Sequence, residues 1–244
     1  MNLFISGGTR GIGRAITLSQ AGPGVRLFVN YLRDEESAAK LKKEAEKKGA
    51  KVTLLPGNIG DPDTARELLK SVARQTDRLD ALVHNAALGV FKPVHQLRVK
   101  DWDISLDVNA KALLTLTQAF LDLMKKHGGR IVAISSLGSQ RFTPDYGAIG
   151  ISKAALESLV RYLAVELAVH GIRVNAVSGG LVETESLKHF PRFERMKKEF
   201  LSRTPGARLG RPEDIAKVVS FLLSPGSDWI YGQTLIADGG YSLL

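Results

Sequence analysis

Ser136, Tyr146 and Lys153 have the types and spacing to do chemistry together. They fall in the stretch from Ser135 to Lys153, SSLGSQRFTPDYGAIGISK. The apolar run before it, GRIVAIS, reads as a buried strand, and KAALESLVRYLAVELAVHG, from Lys153 onward, reads as a long helix. A hydroxyl, a phenol and an amine thus stand where a strand gives way to a helix. In an open parallel α/β sheet, ligands bind at the carboxyl ends of the strands. An ammonium beside a phenol favours phenolate, so Lys153 is expected to lower a Tyr146 pKa that starts near ~10. Taken alone, a surface tyrosine and a solvated helical lysine explain the stretch as well. The rest of the chain decides between the two readings.

The chain opens with a short apolar strand, Asn2 to Ser6, that runs into SGGTRGIGRAITLSQAG. Gly7, Gly11 and Gly13 let a backbone turn tightly and approach a pyrophosphate, whose charge then sits on the N-terminus of the following helix. Strand, glycine spacing and helix together indicate a dinucleotide site, with an ordinary tight turn as the lesser alternative. The second strand, Val25 to Asn30, ends in NYLRDEE. An acidic residue at its tip would accept from a ribose 2′-OH, whereas an arginine would hold a 2′-phosphate. Arg33 stands near that tip and Arg10 in the glycine-rich loop, which favours NADP over NAD. The alternative is that Arg33 pairs only with Asp34 or Glu35.

Further elements follow in alternation. Asp34 to Gly49 reads as a helix, Lys51 to Pro56 as a strand ending at Gly57-Asn58, and Asp61 to Thr76 as a helix started by Asp-Pro-Asp. Leu79 to His84 reads as the fourth strand, and Asn85, Ala86 and Ala87 suit a loop that passes close to a ligand. A helix from about Val99 to His127 carries Asn109, which needs a polar partner: either backbone or a water near Lys153. Gly171 to Val177 is a sixth strand, and QTLIADGG holds the last. Residues 183–208 are polar and Pro-punctuated, and read as a substrate lid. The alternation predicts one domain over 1–244: a Rossmann-type, doubly wound parallel sheet of about seven strands with helices on both faces.

Composition narrows the function. There is no Cys, hence neither a disulfide framework nor a thiolate metal site. The His spacing predicts no metal site. No apolar run is long enough to span a membrane and no signal segment is legible, so a cytoplasmic protein is expected. The net charge of +9 favours anionic partners. Its Lys and Arg are scattered rather than gathered into a patch with interleaved aromatics, so no nucleic-acid role is expected.

SGGTRGIG, HNAA, Asn109, the Ser-Tyr-Lys stretch, NAVSGG and the terminal DGG resemble the short-chain dehydrogenase/reductase family across essentially the whole chain. That family implies a Rossmann fold, NAD(P) and usually a homotetramer. Ser136 keeps the usual seventeen-residue distance to Lys153, but the usual tyrosine slot, four residues before Lys153, holds Ile149. The available phenol, Tyr146, lies seven residues before Lys153. That spacing is similar to the enoyl-acyl carrier protein reductases. The segments VNY, NAKALL, AISSLGS, ISKAALE, RYLAVEL, VNAVSGG and LKHFP are closest to the NADPH-dependent type III branch. Asn85-Ala86-Ala87 and Gly179-Gly180 replace the wider family's Asn-Ala-Gly and Pro-Gly, as type III enzymes also do.

The resemblance implies NADPH-dependent reduction of trans-2-enoyl thioesters on acyl carrier protein or coenzyme A in fatty acid elongation. Tyr146 would stabilise the enolate oxygen, Lys153 would hold the nicotinamide ribose, and Ser136 and Asn109 would complete the catalytic set. Cofactor contacts are implied at Gly7, Thr9, Arg10, Gly11, Ile12, Gly13, Arg33, Asn58, Asn85, Ala86, Gly180, Val182 and Thr184, besides Tyr146 and Lys153. The alternative is a short-chain carbonyl reductase of 3-oxoacyl thioesters or small ketones and quinones. A non-catalytic NADP-binding protein on the same fold is a more distant one.

Overall fold

The structure is a computed structural model that describes residues 1–185, 187 and 193–244. Its strands are β1 (Asn2–Ser6), β2 (Arg26–Tyr31), β3 (Lys51–Pro56), β4 (Ala81–His84), β5 (Gly129–Ser136), β6 (Ile172–Gly179) and β7 (Thr234–Ala237). They form one seven-stranded sheet in the order β3-β2-β1-β4-β5-β6-β7, parallel throughout. The helices are α1 (Gly11–Gln20), α2 (Glu35–Lys47), α3 (Pro62–Ala73), α4 (Val99–Leu106), α5 (Ala112–Met124), α6 (Gly147–Glu166), α7 (Phe193–Arg203) and α8 (Pro212–Leu222). This is the Rossmann-type α/β sheet that the alternation predicts.

The strands are apolar on both faces because helices cover both. Phe4, Phe28, Leu82 and Ile131 point into a core shared with α3, α5 and α6. Their neighbours Leu3, Ile5, Leu27, Val83 and Val132 point the other way, into a core shared with α1, α2 and α8. Phe4 and Phe120 meet at 4.8 Å between ring centroids, and losing either ring would cost about 3–5 kcal/mol. The strand order reverses between β1 and β4, so the crevice for a ligand opens above their carboxyl ends. No helix among the described residues is long and apolar enough to cross a membrane.

The long helix expected from Val99 to His127 is not continuous. A five-residue π turn, Asp107–Lys111, separates α4 from α5. Such a bulge shifts main-chain hydrogen bonding by one residue. Here the carbonyl of Asn109 meets a side chain from β4, an interaction no periodicity of side chains reveals. The proposed lid is partly visible. Val182 pairs with Gly210 in an isolated parallel bridge, which draws together the two ends of the intervening segment. Phe200 of α7 is buried and stacks on Tyr241 at 4.4 Å. Residues 186 and 188–192 of that segment, which include most of LKHFP, lie outside the described residues.

Candidate active site

The glycine-rich loop is shaped by contacts that leave no room for a Cβ. Gly7 has φ 60°, and a Cβ there would fall 2.8 Å from the Cα of Ala86. A Cβ on Gly13 would fall 2.1 Å from the Gly7 carbonyl oxygen and 2.4 Å from Asn85 Nδ2. Gly11, also at positive φ, faces the methyl of Thr184. Thr9 is buried beneath the loop and Ile12 packs on the core. Arg10 precedes α1 without a side-chain cap, so the first amides of the helix are open to an anion at the positive end of its dipole. The loop, Asn85-Ala86 and Thr184 therefore form one cradle that fits the pyrophosphate and nicotinamide half of a dinucleotide.

A hydrogen-bonded set behind the cradle fixes its floor. Asn85 Nδ2 donates to the carbonyls of Gly7 (2.9 Å) and Ser6 (3.2 Å), and Ser6 Oγ accepts from the amides of Asn85 and Ala86. His84, fully buried, lies with Nε2 3.2 Å from the Asn109 carbonyl and Nδ1 3.2 Å from Ser6 Oγ. A carbonyl only accepts, so Nε2 carries the proton and Nδ1 accepts from Ser6. Burial, then the nearby charge of Lys153, lowers the His84 pKa to about 3, so the ring is neutral. The Asn109 side chain accepts from the Leu88 amide (2.8 Å) and donates to the Leu88 carbonyl and Ser152 Oγ. These bonds, to the Leu88 backbone and the Ser152 hydroxyl, hold the loop after β4 against α6.

Ser136 and Tyr146 meet, and Lys153 is anchored to the strand that carries Ser136. Ser136 ends β5, Tyr146 is the residue before α6, and Lys153 lies about two turns along that helix. The Tyr146 hydroxyl donates to Ser136 Oγ at 3.2 Å. Lys153 Nζ, buried, donates to the Ile134 carbonyl at 2.7 Å. The Tyr146 ring lies over Gly138, and the close approach of Gly138 to Gly150 seats the 137–139 turn on α6. Ile149, in the usual tyrosine slot, is buried against Gly89.

The expected lowering of the Tyr146 pKa is not what the structure gives. Burial pushes the phenol up and outweighs the lowering by the Ser136 contact. Desolvation also lowers Lys153 to about 8, although Glu157 opposes that shift. Tyr146 is therefore a protonated donor at neutral pH.

The adenosine end is simpler. Arg33 is exposed beyond β2, and Arg10, not Arg33, approaches Asp34 at 3.4 Å. Asp34 also caps α2 through the amide and hydroxyl of Ser37. Asn58 is exposed after β3, with its Oδ1 accepting from the Gly60 amide. Gly180 admits Asp238 at a distance no Cβ would allow, and Val182 is buried at the bridge. His84 and Glu157 were missed by the sequence reading. Glu157 stands in the stripe 149, 153, 156, 160 of α6 that is otherwise apolar apart from Lys153, a signal that could have found it.

This fold and this site define a short-chain dehydrogenase/reductase. A family model described as enoyl-(acyl carrier protein) reductase matches residues 7–242, and the chain belongs to that family and is an oxidoreductase. The chain is 40% identical over 243 residues to a 1-cyclohexenylcarbonyl-CoA reductase of Streptomyces collinus, covering 99% of this chain and 86% of the relative. It is 35% identical to a 3-oxoacyl-[acyl-carrier-protein] reductase FabG of Thermotoga maritima, covering 97% of this chain and 96% of that one. Its fold is similar to a 7α-hydroxysteroid dehydrogenase solved with NADH and 7-oxo glycochenodeoxycholic acid. The TM-score is 0.93 at 29% identity, over 98% of this chain and 93% of the other.

Proposed function

We propose that the chain reduces the C2–C3 double bond of trans-2-enoyl thioesters, carried on acyl carrier protein or coenzyme A, with NADPH, in fatty acid elongation. The observation that carries this reading is the buried, apolar Ile149 where a carbonyl-reducing relative needs its donor, with the phenol displaced to Tyr146. NADPH, when bound, supplies a hydride to C3 of the enoyl group. Negative charge would then develop on the thioester carbonyl oxygen, three bonds from C3 instead of the single bond that separates carbon and oxygen in a carbonyl reduction, where a displaced donor is useful. Tyr146, kept protonated by burial, would donate a hydrogen bond to that oxygen as an oxyanion-stabilising group, and a proton delivered to C2, from water or relayed through Tyr146, would complete the reduction.

Lys153 would hold the nicotinamide ribose hydroxyls. Gly7, Gly11 and Gly13, with the open amides of α1, would hold the pyrophosphate, and Thr184 would contact the carboxamide. Arg10 and Arg33 hold the 2′-phosphate; the Asp34 carboxylate, already used by Ser37 and Arg10, is a poor acceptor for a free 2′-hydroxyl. The segment 183–208 closes over the acyl chain as a lid. A cytoplasmic homotetramer belongs to the same reading, and the exposed Tyr162 and Val165 of α6, with Val169 in the turn that follows it, offer an apolar face for it.

Reduction of 3-oxoacyl thioesters is the second reading, favoured by the Ser136–Tyr146 contact and the Thermotoga maritima relative. The test of the first is Tyr146→Phe. Enoyl-thioester turnover should fall about 10²–10³-fold, as for the loss of one oxyanion donor, while NADPH binding stays close to wild type. Unchanged turnover in Tyr146→Phe would remove Tyr146 from the mechanism.

A further inference from the structure

We propose that Glu157 is a positioning residue: its buried carboxylate clamps the turn that carries Ser136 and supplies the countercharge that keeps Lys153 an ammonium. The inference rests on Lys153 serving the bound cofactor, as the proposed function has it. Glu157 Oε1 accepts from Ser135 Oγ at 2.5 Å and from Ser139 Oγ at 2.6 Å, and Oε2 faces Gln140 Nε2 at 3.4 Å. Ser135 and Ser139 bracket Ser136, so one carboxylate ties both sides of the residue that meets Tyr146. One turn earlier on the same helix, Lys153 grips Ile134. Two successive charged side chains of α6 therefore lash the end of β5 in place, and residues four apart on a helix are neighbours.

The Ser139 hydroxyl adds a constraint. It stands 2.8 Å from the Ser136 carbonyl as well as 2.6 Å from Glu157, yet it has one proton to give. With Glu157 ionised the proton goes to the carboxylate, because a charged acceptor makes the stronger bond.

The groups that face Lys153 are few. From β4 comes His84, which is neutral; from its own helix, Glu157. On the π turn Asp107 is paired with Lys111, and on α4 Asp101 is paired with Arg98 and Lys92, so each carries its own countercharge. Burial lowers Lys153 to about 8, and Glu157 is the group that opposes the fall. At a helical separation of about 6 Å and an effective dielectric constant of about 20, removing the carboxylate lowers the lysine by a further ~1–2 pH units.

The test is NADPH affinity, followed by nucleotide fluorescence from mildly acidic to alkaline pH, for wild type, Glu157→Gln and Glu157→Asp. Affinity should weaken as Lys153 loses its proton. The midpoint should move down by about 1–2 pH units in Glu157→Gln and far less in Glu157→Asp, which keeps the charge. A purely structural role would lower the melting temperature of both variants and leave the midpoints together, and that result would overturn the proposal. If Glu157→Gln is insoluble, Ser139→Ala carries the test: a several-fold loss of kcat at unchanged NADPH affinity is expected, and wild-type kcat would refute the clamp. Because the binding arm needs no substrate, failure to reduce any enoyl thioester would count against the proposed function and not against Glu157.

Discussion

Substituting Gly138 by Ala tests whether the site depends on where the Tyr146 ring lies. Gly138 does not have positive φ, so alanine meets no backbone strain there. A Cβ at this position would stand 2.5 Å from Tyr146 Cδ1 and 2.6 Å from Cε1. Carbon pairs rest at about 3.5–4.0 Å, so the ring must retreat by about 1 Å or the turn must lift by as much. The struck atoms lie in the body of the ring, not at a flexible tip, so the displacement passes to the hydroxyl. Overpacking of this kind costs about 1–3 kcal/mol of stability, which a folded chain of this size tolerates. Misplacing a reacting group by about 1 Å costs about 10²-fold in rate. The assay is kcat with an enoyl-coenzyme A thioester at saturating NADPH, with thermal unfolding as the control for folding. In Gly138→Ala/Tyr146→Phe the two losses should not add, because without the hydroxyl its displacement no longer matters. Wild-type kcat in a folded Gly138→Ala protein, or strictly additive losses in the double variant, would refute the reasoning.

Other outcomes follow from the same geometry. His84 has a folded pKa of about 3 against 6.5 unfolded, so its contribution is intact above 6.5 and is lost as pH falls from there towards 3; the loss approaches about 5 kcal/mol. Urea unfolding should show His84→Asn less sensitive to acid over that window, and an identical pH dependence would contradict the buried neutral ring. Arg10→Ala and Arg33→Ala should each reduce the preference for NADPH over NADH about tenfold, the worth of a charge-assisted bond to phosphate, while leaving NADH turnover near wild type. The net charge of +9 should steer an acidic carrier, so salt should raise KM for an acyl carrier protein substrate more than for a coenzyme A thioester; equal salt dependence would exclude steering.

The parts of this protein legible in the sequence are those with local causes. Apolar runs bounded by Gly, Pro and Asp mark the strands, and the glycines of the first loop are demanded by contacts only a missing Cβ allows. The meeting of Ser136 with Tyr146, and the anchoring of Lys153 on the same strand, were legible because a strand end and a helix start fall within one short stretch. What stayed hidden depends on partners far apart in the chain. The π turn at Asp107–Lys111 is stabilised by Asn109 reaching Leu88 and Ser152, and by His84 meeting its carbonyl. The direction of the Tyr146 shift turned on burial, which outweighs the Ser136 hydrogen bond and is invisible before the fold is known. Glu157 is set apart from other helical carboxylates only by the serines on either side of Ser136 that donate to it, and these contacts exist only in the fold.

In the proposed function, displacement of the phenol from position 149 to Tyr146 commits the site to the enoyl bond. It is tested most directly by following NADPH oxidation with crotonyl-coenzyme A and, in parallel, with acetoacetyl-coenzyme A. Turnover of the enoyl thioester, with little or none of the keto thioester, is the predicted result. Turnover of the keto thioester alone would mean that Tyr146, beside Ser136, reaches a carbonyl after all, and would make the chain a 3-oxoacyl reductase.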